Sequence, residues 1–449
     1  MNATTPLPPG FYGLGIAPKL LDILGKGGYK EPTPIQQKSI PIAIEGQDLI
    51  GVAQTGTGKT LAFCIPMIQR LAQVKGNGLV ILPTRELAIQ ADEVYQEIGK
   101  SIGLRTAVLI GGASQHVQKM QLKKKPHVIV ATPGRLNDMI QQKAVSLRDV
   151  RILVLDEADR MLDMGFLPQI TRILETVPKD RQTMLFSATM PDSILKIAGK
   201  HMKLPVQVEI ARPGTMAEGI TQELFIIAKD AKPRLLDRIL GENRGSVLVF
   251  TRTKHGAKKV ARLVRQMSHT SAEIHANRSL AQRRDALDGF KSGKYRVLVA
   301  TDVASRGIDV KGIEIVINYD LPDNPEDYVH RIGRTARAGL AGRAISFATP
   351  DQRRDIRDIE RLIRKQLPVS KQPDLPAARP MMREERGDRS FKPRGGRDHD
   401  SGRSRSTGRG TPRGSSRGSS PRRPSGSGSR SKPFRRPSGS GSRKPRVHY

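Results

Sequence analysis

The sequence predicts an α/β chain of two doubly wound parallel-sheet domains in tandem, followed by a disordered basic tail. Three observations predict it. Short β-rich runs alternate with helical segments through the first 370 residues. That pattern breaks at Arg212-Pro213-Gly214-Thr215, where turn residues replace any periodicity. Beyond residue 370 apolar residues become scarce, and Ser, Gly, Arg and Pro take over.

In the first half the β-rich runs are 48–52, 78–82, 106–110, 127–131, 151–155 and 183–186. In the second they are 246–250, 271–275, 296–300, 314–318 and 344–348. The segments between have helical length and composition. Strands alternating with helices imply parallel sheets covered on both faces. This places the first domain at 1–209, a linker at 210–218, the second domain at 219–369 and the tail at 370–449.

Charge narrows the function. The 449 residues carry 77 Lys or Arg against 43 Asp or Glu, a net +34. So large an excess implies a polyanionic partner. Residues 371–449 hold 22 of the basic residues, 18 of them Arg, and only 6 acidic ones. From 401 onward there is no Asp or Glu at all. This segment has too little to bury to offset the entropy of ordering. Guanidinium pairs with phosphate and stacks on bases, so the tail reads as nucleic-acid binding rather than merely solubilising.

Other classes are excluded. One cysteine, Cys64, rules out a disulfide framework and a multi-cysteine zinc site. No apolar run approaches the ~18 residues of a membrane span. Residues 1–10 show no secretory signal. The expectation is a soluble, cytoplasmic protein with no membrane partner.

Two motifs carry chemistry. After the apolar run 49–52 comes Ala53-Gln54-Thr55-Gly56-Thr57-Gly58-Lys59-Thr60, then a helical pattern. Strand, Gly-rich loop and helix start form a phosphate cradle of inward backbone N–H groups and a positive helix end. Thr55, Gly56, Thr57, Gly58, Lys59 and Thr60 are the candidate binders, with Lys59 toward the β/γ-phosphates and Thr60 on Mg²⁺. The first position holds Ala53 where Gly is common. The second motif follows the run 153–155: Asp156-Glu157-Ala158-Asp159. Carboxylates at the carboxyl end of a buried parallel strand need a cation or donors, and that end is where such sheets bind ligands. Asp156 is placed to order Mg²⁺, and Glu157 to orient or deprotonate an attacking water.

The string Asp156–Asp159 spells DEAD, and with the surrounding motifs the chain resembles the DEAD-box ATP-dependent RNA helicases over about residues 8–369. The layout and Arg-rich tail look most like the bacterial RhlE-type members. The resemblance implies two RecA-like domains that use ATP and Mg²⁺ and bind RNA single strands and short duplexes, mainly by the backbone. It also implies that Gly28 to Gln36 belong to a Q motif at 9–37, with Gln36 reading adenine and Phe11 stacking on it. Thr84, Arg85, Gly112, Thr132 and Arg135 are implied RNA contacts of the first domain, and Arg252 and Thr301 of the second. Asp159, Ser187, Thr189 and His330 are implied to couple hydrolysis to unwinding, and Asp309 to hold the ATP ribose. In His330-Arg331-Ile332-Gly333-Arg334-Thr335-Ala336-Arg337, helical spacing would put His330, Arg334 and Arg337 on one face. By resemblance Arg334 and Arg337 are arginine fingers. One departure stands out: Leu280 lies three residues before Arg283 where the family often has Gln. Ribosomal or RNA-decay complexes are implied candidate partners.

Overall fold

The computed structural model describes residues 10–54, 56–210, 219–302, 310, 312–336 and 341–375. Thr55, Asp309, Arg337, linker residues 211–218 and the tail beyond 375 lie outside the described residues.

The first sheet has seven strands: β1 (Leu49–Val52), β2 (Asn77–Ile81), β3 (Thr106–Leu109), β4 (Val128–Ala131), β5 (Val150–Leu155), β6 (Gln182–Ser187) and β7 (Val206–Glu209). Their order is β3-β4-β2-β5-β6-β1-β7, and the pairs are parallel. Helices α1 (Pro18–Lys26), α2 (Pro34–Ile44), α3 (Lys59–Leu71), α4 (Arg85–Gly99), α5 (Gln115–Lys123), α6 (Pro133–Gln141), α7 (Ala158–Asp163), α8 (Leu167–Thr176) and α9 (Asp192–His201) complete this domain. Strand side chains alternate between two cores: Val80, Val154 and Phe186 in one, Leu79, Leu153 and Leu185 in the other. Period-two alternation with both faces apolar is what a doubly covered sheet requires.

The second sheet runs β10-β11-β9-β12-β13-β8. Its strands are β8 (Ile220–Ile226), β9 (Val247–Phe250), β10 (Ser271–Ile274), β11 (Val297–Ala300), β12 (Ile315–Asn318) and β13 (Gly342–Ala348). They are again parallel, with helices α10 (Lys232–Glu242), α11 (Lys254–Gln266), α12 (Leu280–Lys291), α13 (Pro325–Ile332) and α14 (Arg353–Ile363) around them.

All eleven β-rich runs of the sequence coincide with strands. Two strands, β7 and β8, escape the sequence reading. Both are edge strands whose residues are only partly buried, so they lack the continuous apolar run that marks their neighbours. The fold also continues past the expected tail boundary. Leu224 donates its N–H to Pro368 O at 2.9 Å and accepts from Ser370 N at 2.8 Å, which shields the open edge of β8. Leu375 packs on the second-domain core, and Arg234 and Arg238 donate to the carbonyls of Leu375 and Asp374. Residues 370–375 therefore belong to the folded domain, held by contacts that composition does not reveal.

Candidate active site

The candidate residues gather at the carboxyl ends of the strands, as the crossover topology dictates. The phosphate loop follows β1. Gly56 and Gly58 hold φ near +88° and +89°, which only glycine adopts without strain. A Cβ on Gly58 would also come within 2.4 Å of Gln36 Nε2. Gln36 is buried, accepts from Thr33 N at 2.9 Å and donates to Gly58 O at 2.9 Å. Its amide thus ties the start of α2 to the loop. Phe11 is 4% exposed and belongs to the first-domain core cluster. Lys59 is buried and donates to Ala53 O at 2.8 Å, lying across the loop's own backbone. Thr57 braces the loop through Gln54 O at 2.7 Å. Thr60 follows Lys59 in the first turn of α3.

Asp156 directly follows β5, 4% exposed, and its carboxylate accepts from Glu157 N at 2.9 Å. Burial pushes its pKa up to about 7; Lys59 opposes that shift, while Glu157 and Asp159 add to it. Glu157 is held at φ +53°. A non-glycine residue in that region costs on the order of 1–3 kcal/mol and persists where surrounding structure imposes it. Helix α7 begins only at Ala158, with Glu157 as its strained N-cap.

Asp159 is the hub. Its Oδ2 accepts from Ala188 N at 3.0 Å, Thr189 N at 2.9 Å and Thr189 Oγ1 at 3.1 Å. Its own N–H donates to Ser187 Oγ at 3.1 Å. The DEAD turn and the Ser187-Ala188-Thr189 turn after β6 are therefore one hydrogen-bonded unit. Arg160 follows, 3.9 Å from Glu157 and 3.5 Å from Asp327 on α13 of the second domain.

Among the described residues of the expected face, the helix does not reach Arg334. Helix α13 ends at Ile332, Gly333 donates to Val329 O, and Ala336 takes φ +53°. Arg334, 3% exposed, thus comes from the turn after the helix and is not in helical register with His330. The residue the sequence reading missed is Arg331. It is 2% exposed and grips Asp302 with two bonds of 2.5 and 2.7 Å. It also donates to Asn318 Oδ1 and Asp320 O, with its guanidinium 5.0 Å above the Phe250 ring. That grip anchors the segment beginning at Thr301, which is itself 8% exposed and donates to Ile274 O.

The implied RNA contacts are built into their turns. Thr84 caps α4 by accepting from Leu87 N. Arg85 lies over Gly111 and Gly112; a Cβ on Gly112 would meet its Nη1 at 2.4 Å. Thr132 precedes α6 and donates to Leu109 O. Arg135 donates to Ala113 O and Gln118 Oε1, so part of its guanidinium is spent bracing the Gly112 loop. Arg252 pairs with Asp323 at 3.1 Å and stays 41% exposed. Leu280 packs against the first-domain core, and Arg283 beside it meets Glu86 at 2.9 Å.

The chain is similar to known proteins over both domains. Residues 33–197 match the DEAD/DEAH box helicase family, and residues 231–339 match the helicase conserved C-terminal domain. The chain is 42% identical over 367 residues to an ATP-dependent rRNA helicase, RRP3, of Debaryomyces hansenii, covering 81% of this chain and 77% of that one. The protein of the same name from Yarrowia lipolytica is 43% identical, at 76% and 72% coverage. Among solved structures, S. cerevisiae Dbp5 bound to RNA and ADP BeF3 aligns at TM-score 0.74 with 31% identity, covering 82% of this chain and 96% of that one. The chain belongs to the DEAD-box ATP-dependent RNA helicases.

Proposed function

We propose that this chain hydrolyses ATP between its two domains and uses the cycle to open short RNA duplexes locally. The observation that carries the reading is the Asp159 hub, which makes the turn bearing Glu157 and the turn bearing Thr189 move together. A change at the nucleotide is thereby passed to the turn after β6.

In this reading Gln36 and the loop residues Thr55 to Thr60 bind the nucleotide, with Phe11 beneath the base and Asp309 toward the ribose. Lys59 leaves Ala53 O for the phosphates. Thr60 and Asp156 supply one hydroxyl and one carboxylate, a sparse set that suits Mg²⁺ held mainly by phosphate and water. The ion would neutralise charge on the phosphates. Glu157 orients the attacking water, and Arg334 with Arg337 stabilises the charge that develops. Thr84, Arg85, Gly112, Thr132, Arg135, Arg252 and Thr301 line the RNA path, and His330 with Asp159, Ser187 and Thr189 couples the two events. Backbone contacts give little sequence selection. Differential affinity for ATP and RNA drives closure.

The names of the fungal relatives support ribosomal RNA as a substrate class and ribosomal complexes as partners. They give no support to the RhlE-type subtype, which rests on the layout and the Arg-rich tail. A reducing, cytoplasmic setting is supported by the single cysteine, buried Cys64.

Glu157→Gln tests the core of the reading. Turnover should fall by at least about a hundredfold with ATP binding retained. Normal ATPase in that variant, or equal stimulation by RNA and DNA, would overturn it.

A further inference from the structure

A second concave site lies at the opposite end of the first sheet. A cleft of about 400 Å³ is bounded by Arg70, Arg151, Arg181, Lys203, Asp48 and Asp180, among others. These residues sit at the amino ends of the adjacent strands β5, β6, β1 and β7 and on the last turn of α3. Nucleotide and RNA are expected at the carboxyl ends, so this cleft does not rest on the function proposed above.

Its charge is unbalanced in one direction. Each Asp48 oxygen already accepts a backbone N–H, from Thr183 at 2.7 Å and from Lys203 at 2.6 Å. Asp180 is spent on Lys203 at the rim, 3.1 Å away. Among the described residues no carboxylate forms an ion pair with Arg70, Arg151 or Arg181. Arg181 is 8% exposed; it donates to Pro178 O and His201 O, yet its Nε has no acceptor. The Nε of Arg70 is likewise buried without one, its guanidinium lying over Gly46, where a Cβ would come within 2.6 Å. Asp48 attracts Arg181 but offsets the cost of its burial only in part, so its pKa stays below the usual value. Lys75, Arg148 and Lys179, all exposed, add positive charge in the loops before β2, β5 and β6.

We infer that this cleft binds a phosphate group, carried either by RNA that extends behind the first domain or by a small phosphorylated molecule. Three arginines lining one concavity offer N–H donors for the several acceptor oxygens of phosphate, and concave walls focus the field that attracts it. The size suits a small phosphorylated ligand. Residues 401–449 are excluded as occupant, because they carry no Asp or Glu.

The test uses the full chain with its phosphate loop filled by a non-hydrolysable ATP analogue. Inorganic pyrophosphate is titrated by calorimetry against the wild type, Arg151→Glu and Arg70→Gln, with Arg354→Glu as a remote control. Arg354 lies on α14 with its side chain 88% exposed. Arg181 is left intact, since its bonds to two loop carbonyls make it a folding risk. The tail is the same in every variant, so differences report the cleft. The expected result is at least tenfold weaker binding in both cleft variants and none in the control, with RNA-independent ATPase unchanged. Wild-type binding in both cleft variants, or an equal loss in the control, would overturn the proposal. Photo-crosslinking to RNA then separates the sources. Adducts on peptides holding Arg151 or Lys203 assign the site to RNA phosphate; pyrophosphate binding without such adducts assigns it to a free phosphorylated molecule.

Discussion

Glu86 and Arg283 form a buried ion pair across the two domains, with 2.9 Å between Oε2 and Nη2 and side chains 6% and 10% exposed. Burial raises the Glu86 pKa and Arg283 pulls it back only partly; burial likewise lowers that of Arg283. Desolvation outweighs attraction on both sides, which is the usual balance for such pairs. Either single neutralisation, Glu86→Gln or Arg283→Met, leaves one charge buried and costs the closed form about 3–5 kcal/mol. The RNA concentration for half-maximal ATPase should rise at least tenfold in each. The double variant should recover most of the loss, because Leu280 beside it still packs on the first-domain core. Additive single losses would show that the pair does not act as a unit.

Asp159 and Thr189 give the second prediction. Thr189→Ala deletes the side-chain bond to Asp159 Oδ2 and leaves the two backbone bonds in place. One such bond contributes about 1 kcal/mol net, somewhat more to a charged acceptor. Strand separation should therefore drop more than ATPase does, measured on the same preparation with the same RNA. If both rates fall by the same factor, the link carries no coupling.

The same residues show what could be read from sequence. Lys59, Asp156 and Glu157 were legible because their chemistry is local: a loop or turn of adjacent residues following an apolar strand. Gln36 was found from its motif, but its bond to Gly58 joins positions 22 apart and no local pattern announces it. Arg331 was passed over because its partners, Asp302, Asn318 and Asp320, arrive from other strand ends. Its flanking Val329 and Ile332 would have hinted only at burial. Helical spacing misled at Arg334, because Gly333 ends the helix within the motif. Edge strands β7 and β8 were missed because half-exposed alternation over few residues resembles loop.

Arg331 is expected to hold the second domain together. Replacing it with Ala leaves Asp302 without its fork and opens a void beneath Phe250. Removing one partner of a buried pair costs about 3–5 kcal/mol. Arg331→Lys should rescue little, since an ammonium cannot reproduce two parallel bonds plus the ring stacking. Thermal unfolding of the full chain should show an early second-domain transition in both variants, with the first-domain transition unmoved. A lysine variant that melts like the wild type would reduce Arg331 to a replaceable cation.

The second domain should also lose stability in mild acid through His275. The ring is 5% exposed, with Nε2 3.6 Å from Glu273 Oε1, and Arg278 and Arg283 as the nearby cations. Burial lowers its pKa below the usual 6.5; Glu273 works against that shift, and Arg278 and Arg283 reinforce it. The folded domain therefore keeps the imidazole neutral where the unfolded chain already binds a proton. By linkage, this contribution is fully present above 6.5 and is lost as pH falls toward the lower folded value. His275→Gln removes the proton uptake and should flatten that part of the profile. The measurement is the midpoint of the second-domain transition in both proteins from pH about 8 down to about 5. Parallel curves would mean that His275 titrates alike in the folded and unfolded chain, and that acid sensitivity arises elsewhere.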